Sequence, residues 1–170
     1  MTVIQTGELP HAALLNKYRQ QGAYTDCYFM DVPRAISQAE YVEAFYTTSV
    51  FKIERMILSI LASRPSTDLQ AKQLATGEAA DFSAWSVEGR APNQLLLCDF
   101  QRRTRSWLMS VTDESGNSTR TRLYFGSAVV PNIDAATGRK SLGFAVHALM
   151  GFHRLYSRML MASARSRLLS

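Results

Sequence analysis

Residues 94–112 read QLLLCDFQRRTRSWLMSVT, and this stretch decides the fold. Two apolar segments, 94–101 and 104–112, are joined by the tight pair Arg102-Arg103. Strands linked so briefly lie antiparallel, since a parallel pair needs a crossover of about a dozen residues or more. Upstream, ADFSAWSVE (80–88) reaches the first segment through GRAPN (89–93); downstream, TRTRLYFGSAVV (119–130) follows the second after DESGN (113–117). Both links carry turn-forming Gly, Pro, Asn or Asp. The four segments predict an antiparallel meander. Its two faces are both apolar: Leu95 and Leu97 point one way, Leu96, Cys98 and Phe100 the other, and Leu108 opposes Trp107 and Met109. A half-solvated strand alternates apolar with polar residues. One face is therefore expected to meet helices, and the other a second protomer or the amino-terminal segment. A homodimer is the expectation if it is the former.

Outward from the meander, YTDCYFMDV (24–32) is rich in aromatic residues and ends at Pro33, which suits a first strand. Residues 10–21 read as a short helix between Pro10 and Gly22. Ser37 and Glu40 form a capping box that opens a helical region reaching Leu61, with a break near Thr47, Thr48 and Ser49. Residues 63–68, with Pro65, read as a loop, and 69–76 as a weak further strand. After a loop at 131–140, Ser141 can cap a final helix running to about Leu168.

At 170 residues the chain has the length of one domain, and 46% hydrophobic against 19% charged residues excludes a disordered or collagen-like chain. No apolar run approaches the roughly 18 residues that span a bilayer; the most apolar stretch, 144–152, is interrupted by His147. Residues 1–10 lack the basic and apolar regions of a signal peptide, so a reducing, cytoplasmic setting is expected. There Cys27 and Cys98 are expected to behave as buried small hydrophobes, neither having a partner at metal-ligand spacing. The net charge of +5 is concentrated in Arg102, Arg103 and Arg105 and in Arg154, Arg158, Arg165 and Arg167, a weak preference for anionic partners. No nucleic-acid-binding motif accompanies these arginines, so nucleic acid is not expected as a partner. Phosphate-cradling glycine loops, a GxSxG elbow and an HExxH pair are absent from the sequence. His11, His147 and His153 are not spaced for a local metal site, and no cofactor is indicated.

A strand, a helical pair, a meander and a long terminal helix, carried by YTDCYFMDVP, FKIERMILSIL, FSAWSVEGR with LLLCDF, RLYFGSAVVP and GFAVHALMGFHRLYSRML, resemble the START-like, or SRPBCC, superfamily. The chain looks similar to an uncharacterised bacterial branch related to polyketide cyclase-like proteins. The resemblance spans residues 24–168 and rests on element order, with no shared catalytic motif to carry over. It implies an α+β helix-grip fold, a curved antiparallel sheet wrapped around a long C-terminal helix. It also implies a cavity between sheet and helix for a small apolar or aromatic molecule.

Two polar residues stand out. On the last helix Leu142, Ala145, Leu149, His153, Tyr156 and Leu160 form one stripe, and His147, Gly151, Arg154, Arg158 and Arg165 the opposite, solvated one. His153 is then either a core histidine bonded to a carbonyl or a pocket histidine. Glu54 falls in the apolar arc of Val50, Ile53, Ile57, Ile60 and Leu61 and needs a partner, for which Arg105, Arg120 and Arg122 are candidates. Asp99 and Arg105 are expected to pair across their hairpin. Trp85, Trp107 and Tyr124 either pack the core or stack on a bound molecule. The candidate ligand-binding set is Glu54, Trp85, Trp107, Tyr124, Leu149, His153 and Tyr156. Three functions fit: a small-molecule binder, a cyclase-, dehydratase- or isomerase-type enzyme using Glu54 and His153, or a dimeric interaction protein with a filled cavity.

Overall fold

The computed structural model describes residues 3–62, 65–114, 118–133, 140–141 and 144–170, and within helices and strands the side chains other than 54, 57–62, 132–133, 140–141 and 144–152. The chain opens with β1 (Gln5–Thr6), α1 (Asn16–Gln20) and β2 (Tyr24–Val32). Three helices follow: α2 (Gln38–Tyr46), α3 (Ser49–Ala62) and α4 (Asp68–Thr76). The meander is β3 (Asp81–Phe82), β4 (Trp85–Ala91), β5 (Gln94–Asp99), β6 (Thr104–Asp113) and β7 (Arg120–Val129). A small ribbon, β8 (Asn132–Ile133) with β9 (Lys140–Ser141), leads to α5 (Phe144–Leu169).

Local chemistry sets most of these boundaries. Ser37 Oγ accepts from the Glu40 N–H while the Glu40 carboxylate accepts from Ser37 N–H at 2.8 Å, so both orphan donors at the start of α2 are satisfied. The break falls where expected, and hydroxyls make it. Thr47 Oγ1 donates to the Glu43 carbonyl at 2.7 Å, and Thr48 Oγ1 donates to the Phe45 carbonyl at 3.0 Å. Thr48 Oγ1 also accepts from Phe51 N–H at 3.1 Å, so one side chain closes α2 and starts α3.

Residues 69–76, read as a weak strand, are helical. A second capping box, Thr67 with Gln70, opens α4, and Gly77 at φ 87° closes it in the left-handed conformation. The early helix is shorter than 10–21. Asn16 Nδ2 donates to the Pro10 carbonyl at 2.7 Å and the His11 carbonyl at 3.0 Å, holding the preceding residues in turns. In the meander β4 runs through Gly89 to Ala91 with a register shift between Val87 and Gly89, leaving Pro92 and Asn93 as the turn. Asp99 does not pair with Arg105. Its Oδ1 accepts from the N–H groups of Arg103 at 2.7 Å and Thr104 at 2.9 Å, holding a turn in which Arg102 sits at φ 59°.

The result is an α+β architecture with a curved, seven-stranded antiparallel sheet in the order β1-β2-β7-β6-β5-β4-β3. β2 returns beside β7 in continuous register, from Tyr24 opposite Val129 to Val32 opposite Thr121. One face buries Tyr28, Met30, Leu95, Leu97, Leu108, Leu123 and Phe125 against α2, α4 and α5. On α5 the residues turned to this core are Ser157, Leu160, Met161, Ala164 and Leu168, while Arg154 and Arg158 are exposed. Arg165, assigned by pattern to the solvated stripe, is half-buried. His147, Leu149 and Gly151 lie outside the described side chains.

The other face buries Cys27, Leu96, Trp107, Met109 and Ala128 under Leu9, Ala13, Leu15 and Tyr18. Of the two coverings the sequence allowed, the amino-terminal segment is the one present. The second apolar face thus requires no second protomer. Gln94 clasps this segment to the sheet. Its Oε1 accepts from Leu14 N–H and Trp107 Nε1–H, and its Nε2 donates to the Ala12 carbonyl, each at 2.9 Å. Gln94→Ala leaves the buried Trp107 indole N–H and the half-buried Leu14 amide without partners and is expected to cost about 2 kcal/mol. Faster hydrogen exchange confined to residues 9–20 and Trp107 is the signature, and unchanged exchange there would contradict the clasp.

Candidate functional site

Between the sheet and α5 lies a cavity of about 190 Å³. Its apolar wall comes from Phe45 and Phe51 on either side of the α2–α3 break, Trp85 on β4, Phe125 on β7, and Tyr156 and Leu160 on α5. The break matters: it redirects the chain so that Phe45 and Phe51 pack at 6.5 Å between ring centres, where one straight helix would follow its own axis. Thr104, Arg105, Ser106, Ser127 and His153 supply the polar part of the wall. Ser106 Oγ is engaged with the Tyr46 hydroxyl at 2.9 Å. Trp85 Nε1 is buried without a hydrogen-bond acceptor among the described residues. Grooves of about 430, 590 and 340 Å³ also exist, lined largely by charged and polar side chains.

The chemistry is concentrated at His153. Its Nε2 lies 3.0 Å from Asp26 Oδ2 and 2.9 Å from Ser127 Oγ. Ser127 donates to Asp26 Oδ1 twice, from its hydroxyl at 2.7 Å and its backbone N–H at 2.8 Å. An ionised carboxylate only accepts, so Nε2 carries a proton, and Ser127 Oγ, having given its proton to Asp26, accepts from the same Nε2–H. This is a triangle on one ring nitrogen. A nucleophilic triad needs the imidazole between serine and carboxylate, with a bare nitrogen facing the hydroxyl. Ser127 is therefore a structural partner, and Nδ1 is the ring atom left with no partner among the described residues.

Of the candidate residues, the structure brings Trp85, His153 and Tyr156 together around the cavity. Trp107 and Tyr124 lie on the opposite sheet face. Alternation puts Trp107 with Arg105 and Met109, and Tyr124 against Trp107 at 6.1 Å and Phe29 at 6.0 Å between ring centres. Their rings pack against each other at a tilt of 42°, on the amino-terminal segment's side of the sheet. The side chains of Glu54 and Leu149 are outside the described residues. Two arginines proposed for Glu54 are held elsewhere: Arg105 by Glu88 at 2.6 Å, and Arg122 by Asp31 at 2.7 Å. Sequence reasoning missed Asp26 and Ser127. Asp26 had a readable signal, a carboxylate on the same side of its strand as Tyr28, Met30 and Val32.

Behind the sheet, Glu88 gathers Lys17, Tyr18 and Arg105. Arg105 is buried, donates to the Tyr18 hydroxyl at 2.8 Å and the Arg102 carbonyl at 2.7 Å, and sits 4.6 Å from the Tyr18 ring centre. Burial alone would raise the Glu88 pKa, but hydrogen bonds from Lys17 and Tyr18 and the Arg105 charge outweigh it and pull it down to about 2. The Tyr18 hydroxyl is pushed up to about 12 by burial and by Glu88.

Burial also pushes the Cys27 thiol up to about 12, so it is a poor nucleophile. Cys98 is half-buried and free. Among the described residues no three His, Cys, Asp or Glu side chains gather as a metal site, and no helix is long and apolar enough to cross a membrane. No family model matches the chain, and neither does any curated protein or solved structure.

Proposed function

We propose that this chain binds a small, single-ring aromatic molecule between its sheet and its C-terminal helix, in the manner of a helix-grip protein. The observation that carries this reading is the cavity of about 190 Å³, walled by aromatic and aliphatic side chains and polar at His153. Size decides the ligand class. An apolar cavity of roughly 150 Å³ is large enough for benzene, whereas sites for drug-sized molecules run from about 300 Å³ upward. A single ring with one substituent fits within this volume, whereas a fatty acid or a polycyclic polyketide would extend beyond it. The strand order, with β2 beside β7 and three helices inserted before the meander, supports the resemblance to the START-like superfamily. The orphaned Trp85 donor on the wall supports a polar ligand group nearby.

Thermal unfolding tests the reading. A monocyclic aromatic at about 100 times its dissociation constant is expected to add about 2.7 kcal/mol of stability. It is also expected to change the fluorescence of Trp85, and Trp85→Phe to abolish that change, since Trp107 is on the far face. A panel of such rings that never moves the melting temperature would overturn the proposal. A second reading, an enzyme of cyclase, dehydratase or isomerase character, draws on the His153–Asp26 pair at 3.0 Å in place of the Glu54–His153 pair. A bell-shaped pH–rate profile with a bound aromatic substrate would favour it.

A further inference from the structure

We propose that His153, held in one tautomer by Asp26, is the specificity determinant of the cavity and selects ring ligands that carry a hydroxyl donor. This deepens the binding reading and rests on it. Nε2 must donate because it faces Asp26 Oδ2 at 3.0 Å, and an acceptor facing an acceptor would repel. Asp26 is itself fixed: its Oδ1 accepts two bonds from Ser127, at 2.7 and 2.8 Å, so the carboxylate cannot swing away with the imidazole. A ring that donates from Nε2 and carries no second proton presents a bare lone pair at Nδ1. No described side chain uses it. Of the other polar groups on the wall, Ser127 has spent its proton on Asp26, Ser106 is bonded to Tyr46 at 2.9 Å, and Arg105 is held by Glu88 and Tyr18. Trp85 adds an N–H donor orphaned among the described residues, and Thr104 a hydroxyl. His153 lines the cavity, and with Nε2 turned to Asp26 and Ser127 a bare Nδ1 on the cavity side would be a fixed acceptor in an aromatic surround, the complement of a phenolic hydroxyl. A purely apolar cavity would do the opposite and reject phenol, because burying an unpaired hydroxyl is costly.

Phenol and toluene separate these cases, since they have the same shape and differ in the donor. Calorimetric titration of the wild-type chain is expected to show phenol binding at least as tightly as toluene. In His153→Phe, phenol is expected to weaken about tenfold while toluene keeps its affinity or gains, tenfold being one hydrogen bond of about 1.4 kcal/mol. Nitrogen NMR of the wild-type ring gives a readout that needs no variant. Nδ1 is expected to resonate as the unprotonated nitrogen and to move on addition of phenol but not of toluene. If toluene binds, and phenol is rejected or its affinity is indifferent to His153→Phe, the inference falls while the aromatic cavity stands. A protonated Nδ1 with a bare Nε2 would also overturn it. If neither ring binds, the binding reading itself fails, and this inference with it.

Discussion

Gly126→Ala is expected to lower the free energy of unfolding by about 3 kcal/mol, at the upper end of overpacking penalties. Gly126 sits in β7 between Cys27 of β2 and Trp107 of β6. A Cβ there would meet the Asp26 carbonyl oxygen at 2.8 Å, Trp107 Cε3 at 2.9 Å and Leu15 Cδ2 at 3.0 Å. The first of these is backbone and cannot rotate aside, so β2 would have to shift. That shift would also move the side chain of Asp26 and loosen its hold on His153. Gly89→Ala is the control, because its nearest neighbour, Leu14 Cδ1, lies at an ordinary 3.6 Å. It should change stability by less than about 1 kcal/mol. Urea unfolding of the two variants beside the wild type checks the contrast. Equal midpoints would show that the three-way approach of β2, Trp107 and the amino-terminal segment is looser than described.

Glu88→Gln is expected to cost about 3 kcal/mol at neutral pH, because it leaves buried Arg105 without its carboxylate. The same residue makes stability depend on pH with a definite sign. Its folded carboxyl is held at about 2, below the ordinary 4.5, so the unfolded chain takes up the proton first. The stabilisation is complete above about pH 4.5 and is lost as the pH falls towards 2. It amounts to about 2 kcal/mol once solvent screening on the exposed Lys17 side is allowed for. Asp31, Asp68 and Glu40, whose pKa values are also lowered by their partners, titrate in both proteins and cancel in the comparison. Urea midpoints of wild type and Glu88→Gln should therefore converge on acidification. A gap that stays constant down to about pH 2.5 would contradict the charged cluster.

Much of the fold was legible because its determinants are local. The Ser37–Glu40 box, the Thr47–Thr48 break, the strand of residues 24–32 and the meander each arise from residues within a few positions of one another. By the same logic α4 should have been found, since Thr67 and Gln70 are a capping box and the segment is rich in helix-forming Ala, Leu, Lys and Gln. Its short apolar pattern fits either period, and that ambiguity won. The hairpin arginines show a different failure. Charge complementarity suggested Asp99 with Arg105, but the carboxylate was closer to the unsatisfied amides of its own turn.

For the candidate site, the sequence by itself determined the helical phase of α5, and with it the placing of His153 and Tyr156 on one side of that helix. It also determined the alternation that puts Trp107 and Tyr124 each on a definite side of its strand. It left open which of two apolar faces was which. Only the tertiary structure decided that the amino-terminal segment covers one face and α5 the other, and so that Trp85 lines the cavity while Trp107 and Tyr124 do not. The partner of His153 was equally beyond local pattern, because Asp26 is 127 residues away in sequence. Periodicity reports which side of an element a residue takes. What lies on that side depends on how distant elements pack, and no interaction between neighbours in sequence encodes it.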